Sequence, residues 1–244
     1  MVPIHCVMPT PETAMPPLPF TCVDSRKLAR LTALGALATV SLVACAETPD
    51  PSGALFQVAP TRPLDELRAE ALAATPPAED GDFVPSELVE LIEIDPRLEL
   101  DIRYASARNF LGSAFYEEAR AFLQRPAAEA LRAAHDELRE QGYGLLIFDG
   151  YRPWHVTKMF WDATPDSLRI FVADPAAGSR HNRGAAVDLT LIDLATGAPV
   201  EMPSGYDEFT VRAYPDFPGG TAEQRAHRDL LRAVMEAHGF SVYE

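Results

Sequence analysis

Beyond residue 45 the chain has no cysteine; all three, Cys6, Cys22 and Cys45, precede the bulk of the sequence. The presumed domain therefore holds no disulfide and no thiolate metal site. Positive charge is also scarce. Lys and Arg number 21 against 36 Asp and Glu, for a net charge of -15. That balance excludes nucleic acid as a partner, because binding it requires many phosphate-neutralising cations. It says little about fold. The apolar run Leu31–Ala44 is 14 residues long, too short to span a bilayer comfortably. No internal repeat is present. The first 22 residues contain six prolines and no Lys or Arg, an unusual prelude to a targeting signal. Translation is therefore expected to begin later, at Met15 or at Val23 read as an alternative start.

The 244 residues, 47% of them hydrophobic, suit one globular domain of about 150 to 200 residues plus extra segments. Residues 1–45 read as an address. Arg26, Lys27 and Arg30 precede the apolar run, which ends in Leu42-Val43-Ala44-Cys45. This resembles a bacterial lipobox, with cleavage before Cys45 and lipidation of that cysteine. Ala46 follows, as in lipoproteins of the outer membrane. The expectation is a periplasmic lipoprotein anchored in the membrane through its N-terminal lipid. An ordinary signal peptide or a short buried helix are the other readings. Residues 46–87, rich in Pro, Ala and acidic residues, read as a tether with a short helix over 64–74. The domain is expected over 88–244.

Within it, residues 89–94 and 98–104 read as strands and residues 106–119 as a loop. Ala127, Ala130, Leu131, Ala134 and Leu138 recur at helical spacing from Pro126 to Gln141, and Gly142 stops that helix. Residues 144–148 form a continuous apolar strand. Pro153 opens a helix to about Asp162. A strand over 185–193 turns at Thr196-Gly197 into 198–202. A last helix covers 223–238, and 240–243 begins another strand. With no regular βαβ alternation, the class is α+β: a largely antiparallel central sheet with flanking helices.

Chemistry concentrates in a few strings. His181 stands seven residues before Asp188, with Gly184 between them. Imidazole and carboxylate are both good zinc ligands. A charge inside the apolar run Val187–Leu191 is costly unless paired or metal-bound. The spacing alone also fits a solvated strand-edge aspartate. Arg152, fixed between Tyr151 and Pro153, could clamp a carboxylate or an oxyanion. It could equally pair with Asp149. Tyr104 could pack across strands and Asp207 could form a turn. His135, His155, His227 and His238 default to packing or solvent.

Taken together, four segments resemble the D-Ala-D-Ala dipeptidase family, zinc D,D-peptidases of the vancomycin-resistance type with a hedgehog-like fold. Ser179-x-His181-x-x-Gly184-x-Ala186-x-Asp188 is similar to the family's zinc signature. Residues 142–153, ending Asp149-Gly150-Tyr151-Arg152-Pro153, residues 101–112 around Arg103-Tyr104-Ala105, and Met202-Pro203-Ser204-Gly205-Tyr206-Asp207 are similar to three further family segments. The resemblance implies zinc bound by His181 and Asp188. Arg152 would stabilise the transition state, Tyr104 would line the pocket, Ser179 would bind substrate or cap its loop, and Asp207 would hold the amine of the D-Ala-D-Ala dipeptide. A zinc-bound water, deprotonated by a glutamate, would attack the peptide carbonyl. Pro203 replaces a family glycine, which fixes φ and removes a donor. The family's Glu-Trp-Trp-His segment, carrying the general base and the third ligand, does not occur in this sequence. A two-ligand site is expected to bind zinc weakly, and the chain ending at Glu244 to have little activity. The competing readings are a D,D-carboxypeptidase or endopeptidase of peptidoglycan stems, and a non-catalytic lipoprotein that binds wall peptides.

Overall fold

The computed structural model describes the backbone of Cys6–Val7 and residues 55–242. The expected signal region, lipobox and alternative starts otherwise lie outside the described residues. The main sheet runs β3 (Glu99–Leu100), β5 (Tyr143–Asp149), β6 (Ala186–Asp193), β1 (Cys6–Val7), β8 (Ser241–Val242), with β7 (Ala198–Pro199) also paired to β6. The β3–β5 pair is parallel and the other pairs are antiparallel. The α+β class holds, and the sheet is mixed. A separate antiparallel pair joins β2 (Leu88–Glu90) to β4 (Phe122–Gln124).

Alternation along the two long strands divides the core. Leu145, Ile147, Val187, Leu189 and Leu191 point to one face. There they pack with α3 (Arg125–Glu140) and α5 (Ala222–Ala237), whose buried residues include Leu131, Leu138, Leu231 and Met235. Leu146, Phe148 and Ile192 point to the other face, toward α4 (Trp154–Ala163) and its Val156 and Phe160. The period-two strand pattern and the period of 3.6 on α3 and α5 thus bury the same core from two sides. Pro126 sits at the first turn of α3, where its missing N–H costs nothing. A capping box between Thr221 and Gln224 starts α5, satisfying two otherwise orphaned donors.

The long elements match expectation; several short ones do not. The strand expected over 89–94 ends at Glu90, and α2 (Leu91–Ile94) replaces the rest. Asp95 N–H closes that turn onto the Leu91 carbonyl at 2.8 Å. Pro96 then biases Asp95 away from helical ψ and stops it. The strand expected over 98–104 keeps only Glu99–Leu100 in its ladder. Arg103–Ala105 turn into a 3-10 helix instead, and beside it Asp101 pairs with Arg103 at 2.9 Å and with Arg108. The expected tether also needs correction. Val58 and the helix that follows pack on the domain, whereas residues 75–88 are exposed as a tether would be. α1 (Leu64–Ala73) buries Leu67 and Ala71 against α4, and Val58 N–H bonds the Phe110 carbonyl at 2.7 Å. Only two apolar side chains of α1 are buried, too few for the sequence pattern to distinguish from a linker. Among the described residues no helix is long and apolar enough to cross a membrane.

A buried ion network under α3 gives a stability prediction. Asp95 accepts from Arg97 Nε at 2.7 Å and contacts His135 Nδ1 at 2.8 Å. Burial pushes the Asp95 carboxyl up, but the hydrogen bonds from Arg97 and His135 outweigh it and bring its pKa to about 2. Burial holds the His135 imidazole below its ordinary value, against the pull of Asp95. Both groups bind more protons unfolded than folded, so both make acid destabilising. The His135 part sets in as pH falls below about 6.5 and the Asp95 part as pH falls from about 4 toward 2. In Asp95→Asn, the stability loss between about pH 4 and pH 2 is expected to shrink by on the order of 2 kcal/mol. Urea midpoints measured across that range check it; parallel slopes in the two proteins would refute the assignment.

Candidate metal centre and active site

The site sits where β5 leaves the sheet. Along β5 and β6 the register pairs Ile147 with Leu189, then skips to pair Asp149 with Asp188. Phe148 is the extra residue of a bulge. Without it, strict alternation would send Asp149 to the α3–α5 face with Ile147. With it, Asp149 joins Asp188 on the α4 face. Bulges re-aim side chains in this way beside functional sites. Gly150 follows because a Cβ there would lie 2.7 Å from the Phe122 carbonyl oxygen. That oxygen accepts the Tyr151 N–H at 2.7 Å. β4 therefore pins the loop that carries Arg152.

His181 opens a single 3-10 turn, His181–Arg183, closed by Gly184 in the left-handed region at φ 65°. Gly184 thus ends a short helical turn that feeds β6. His181 is buried, and its Nδ1–H donates to the Gly150 carbonyl at 2.8 Å. A carbonyl only accepts, so Nδ1 carries a proton, and Nε2 faces Asp188 Oδ1 at 3.4 Å. A backbone carbonyl that fixes the tautomer is the usual support for a metal-bound imidazole. Two ligands about 2.0–2.1 Å from zinc at a tetrahedral angle are separated by about 3.4 Å. The His181–Asp188 geometry fits that ion.

Asp149, His181 and Asp188 offer ligand atoms within 4.8 Å of one another, and all three are buried. Asp149 was expected only as an alternative ion-pair partner for Arg152, and its place in this group is a correction. Its two oxygens already have partners. Oδ2 accepts from Arg152 Nε at 2.9 Å and Nη2 at 2.7 Å, and Oδ1 accepts from the Tyr116 hydroxyl at 2.8 Å. Burial holds the Asp149 carboxyl above its ordinary pKa, against the pull of Arg152 and His181. The expected Arg152–Asp149 ion pair therefore exists, and it faces the site. Arg152 Nη2 also lies 3.6 Å from Asp188 Oδ2. Its guanidinium packs over the Tyr104 and Phe160 rings at 5.1 and 5.0 Å, which limits its rotation.

The remaining expected residues converge here too. Tyr104, brought in by its 3-10 turn, donates its hydroxyl to Asp207 at 3.0 Å. Burial and the Asp207 charge push that hydroxyl well above its ordinary pKa, so it remains a donor. Asp207 itself is at φ 52°, the positive-φ non-glycine among the described residues. Aspartate tolerates this region better than most residues, yet such strain is found mainly where function holds it. Ser179 Oγ accepts the His181 N–H at 3.2 Å, which is the loop-capping arrangement. Tyr206, not anticipated, reaches Asp188 Oδ2 at 3.5 Å. Among the described residues no other histidine joins the group: His135 bonds Asp95, His227 the Glu201 carbonyl and His238 Glu137. A cavity of about 510 Å³ opens over Tyr104, Arg152, His181 and Asp207.

Comparison with known proteins bears on this arrangement. The D-Ala-D-Ala dipeptidase family matches residues 85–244. The chain belongs to that family. A D-alanyl-D-alanine dipeptidase of Escherichia coli K12 is 39% identical over 155 residues, covering 64% of this chain and 79% of the relative. One from Enterococcus faecium is 34% identical over 171 residues, covering 63% and 85%. One from Enterococcus faecalis is 37% identical over 162 residues, covering 59% and 80%. The D-Ala-D-Ala dipeptidase family is a family of zinc peptidases, and the buried Asp-His-Asp group of this chain could hold the ion.

Proposed function

We propose that the protein hydrolyses the D-alanyl-D-alanine dipeptide, with zinc held by His181 and Asp188. The observation that carries this reading is the 3.4 Å approach of His181 Nε2 to Asp188 Oδ1. His181 lines the same cavity as Arg152 and Asp207. Zinc, when bound, supplies Lewis acidity and a nucleophilic water near neutral pH. The chain's own residues supply the rest. Asp149 holds Arg152 through two of its nitrogens, so the guanidinium is oriented before substrate arrives. A preset cation in a water-poor site stabilises developing negative charge on a carbonyl oxygen. Asp207, with one face occupied by Tyr104, offers a carboxylate for the dipeptide's ammonium. Its position sets how long a peptide fits between amine and reacting carbonyl. Gly150 keeps the His181 proton on Nδ1.

The test is product chromatography with zinc-supplemented protein, offered free D-Ala-D-Ala and a pentapeptide stem ending in D-Ala-D-Ala. Conversion of the dipeptide to alanine with the stem left intact is expected, slow in the 244-residue chain because the family's Glu-Trp-Trp-His segment does not occur in it. Release of alanine from the stem would favour a carboxypeptidase instead. Dipeptide binding with no turnover and no zinc requirement would favour a wall-peptide-binding protein.

A further inference from the structure

Alanine side chains leave much of the cavity unused. A dipeptide of two alanines has about eleven heavy atoms, and at a full water's share of about 30 Å³ each they fill about 330 Å³. The cavity holds about 510 Å³. Its walls show where the surplus lies. A continuous series of rings leads outward from the polar centre. Tyr104 contacts Phe160 at 4.6 Å, Phe160 contacts Phe110 at 5.2 Å, and Phe110 contacts Phe209 at 4.8 Å. Phe209 then stacks on Phe171 at 5.2 Å with planes 10° apart, and Phe171 meets Tyr214 at 6.3 Å. Arg152 packs on the first two rings of the series. Tyr214, at the other end, is 45% exposed, and Ile170, which also lines the cavity, is 73% exposed. Large apolar groups left in water around a cavity mouth mark a ligand surface more often than chance.

We propose that Phe171, Phe209 and Tyr214 form a second subsite for a bulky apolar side chain, carried by the residue whose amine Asp207 holds. The end is chosen by chain geometry. Phe209 stands two residues after Asp207, and Asp207, Glu208 and Phe209 all line the cavity. The side chain next to the amine branches from the carbon that bears it, and so lies beside Asp207 and its neighbours. The scissile carbonyl belongs at the Arg152 and His181 end. The preferred substrates are then D,D-dipeptides with a large apolar first residue and a small second one. This rests on the dipeptidase reading above.

Binding separates the two ideas. With zinc-supplemented full chain, isothermal titration with D-Leu-D-Ala and D-Phe-D-Ala is expected to give affinities at least about 10-fold tighter than with D-Ala-D-Ala, the scale of a filled apolar pocket. D-Ala-D-Leu gains less. The substitutions Tyr214→Ala and Phe171→Ala, one partly exposed and one at the rim, should bring the D-Leu-D-Ala to D-Ala-D-Ala ratio toward one, with circular dichroism reporting that each variant folds. If D-Ala-D-Ala binds and D-Leu-D-Ala binds no better, the subsite is overturned and the dipeptidase reading stands. Should no dipeptide bind, both are overturned.

Discussion

Replacing His181 with alanine is expected to lower zinc affinity by more than about 100-fold and to remove dipeptide hydrolysis. Loss of an outer-shell partner alone typically costs 10–100-fold, and this change deletes a ligand. The imidazole is the sole nitrogen donor in the buried group, and its Nε2 is preset by the Gly150 carbonyl at 2.8 Å. A carboxylate pair without it would favour harder, oxygen-preferring ions. Competition with a colorimetric chelator reads the affinity. A variant within threefold of the native protein would show that zinc, if bound, is held elsewhere. Because His181 contacts Asp188 and backbone but lies at a loop rather than in either core cluster, its loss should leave the fold intact, and a circular dichroism spectrum checks that point.

Arg152 carries the second large effect. Arg152→Ala is expected to reduce kcat by about 10²–10³-fold, the usual consequence of deleting one transition-state donor. It should also destabilise the protein by about 3 kcal/mol, since it strands the buried Asp149 and Asp188 carboxylates without their shared cation. Arg152→Lys separates the two effects. An ammonium keeps the charge and much of the stability. It cannot make both the Nε and Nη2 bonds to Asp149 Oδ2 while stacked over Tyr104 and Phe160. Lysine should therefore restore stability while leaving kcat low. Full recovery of kcat in Arg152→Lys would mean that only charge matters and that Asp149 does not orient the group.

Much of this site was legible in the sequence because its residues come from a few short strings. His181, Asp188, Arg152, Tyr104, Ser179 and Asp207 were each singled out; the structure lines one cavity with all but Asp188, which lies behind it against His181. The long strands and helices followed from period. What stayed hidden depends on features with no local signature. Asp149 enters the group only because Phe148 bulges, and a bulge shifts parity without changing composition. Tyr116 sits in a loop and reaches Asp149 across 33 positions. Tyr104 was expected on a strand; the ladder ends at Leu100, and a 3-10 turn brings the Tyr104 hydroxyl to Asp207. The helix over 64–73 was anticipated, but its docking was not, because Leu67 and Ala71 alone do not signal a buried face.

The central claim is that zinc is bound jointly by His181 and Asp188, with Asp149 reserved for Arg152. Anomalous diffraction from crystals grown with zinc, collected on both sides of the zinc absorption edge, tests it most directly. The account predicts a single strong difference peak bonded to His181 Nε2 and to the Asp188 carboxylate, with Asp149 still paired to Arg152. A peak on Asp149 with Arg152 displaced, or no peak between His181 and Asp188, would contradict it.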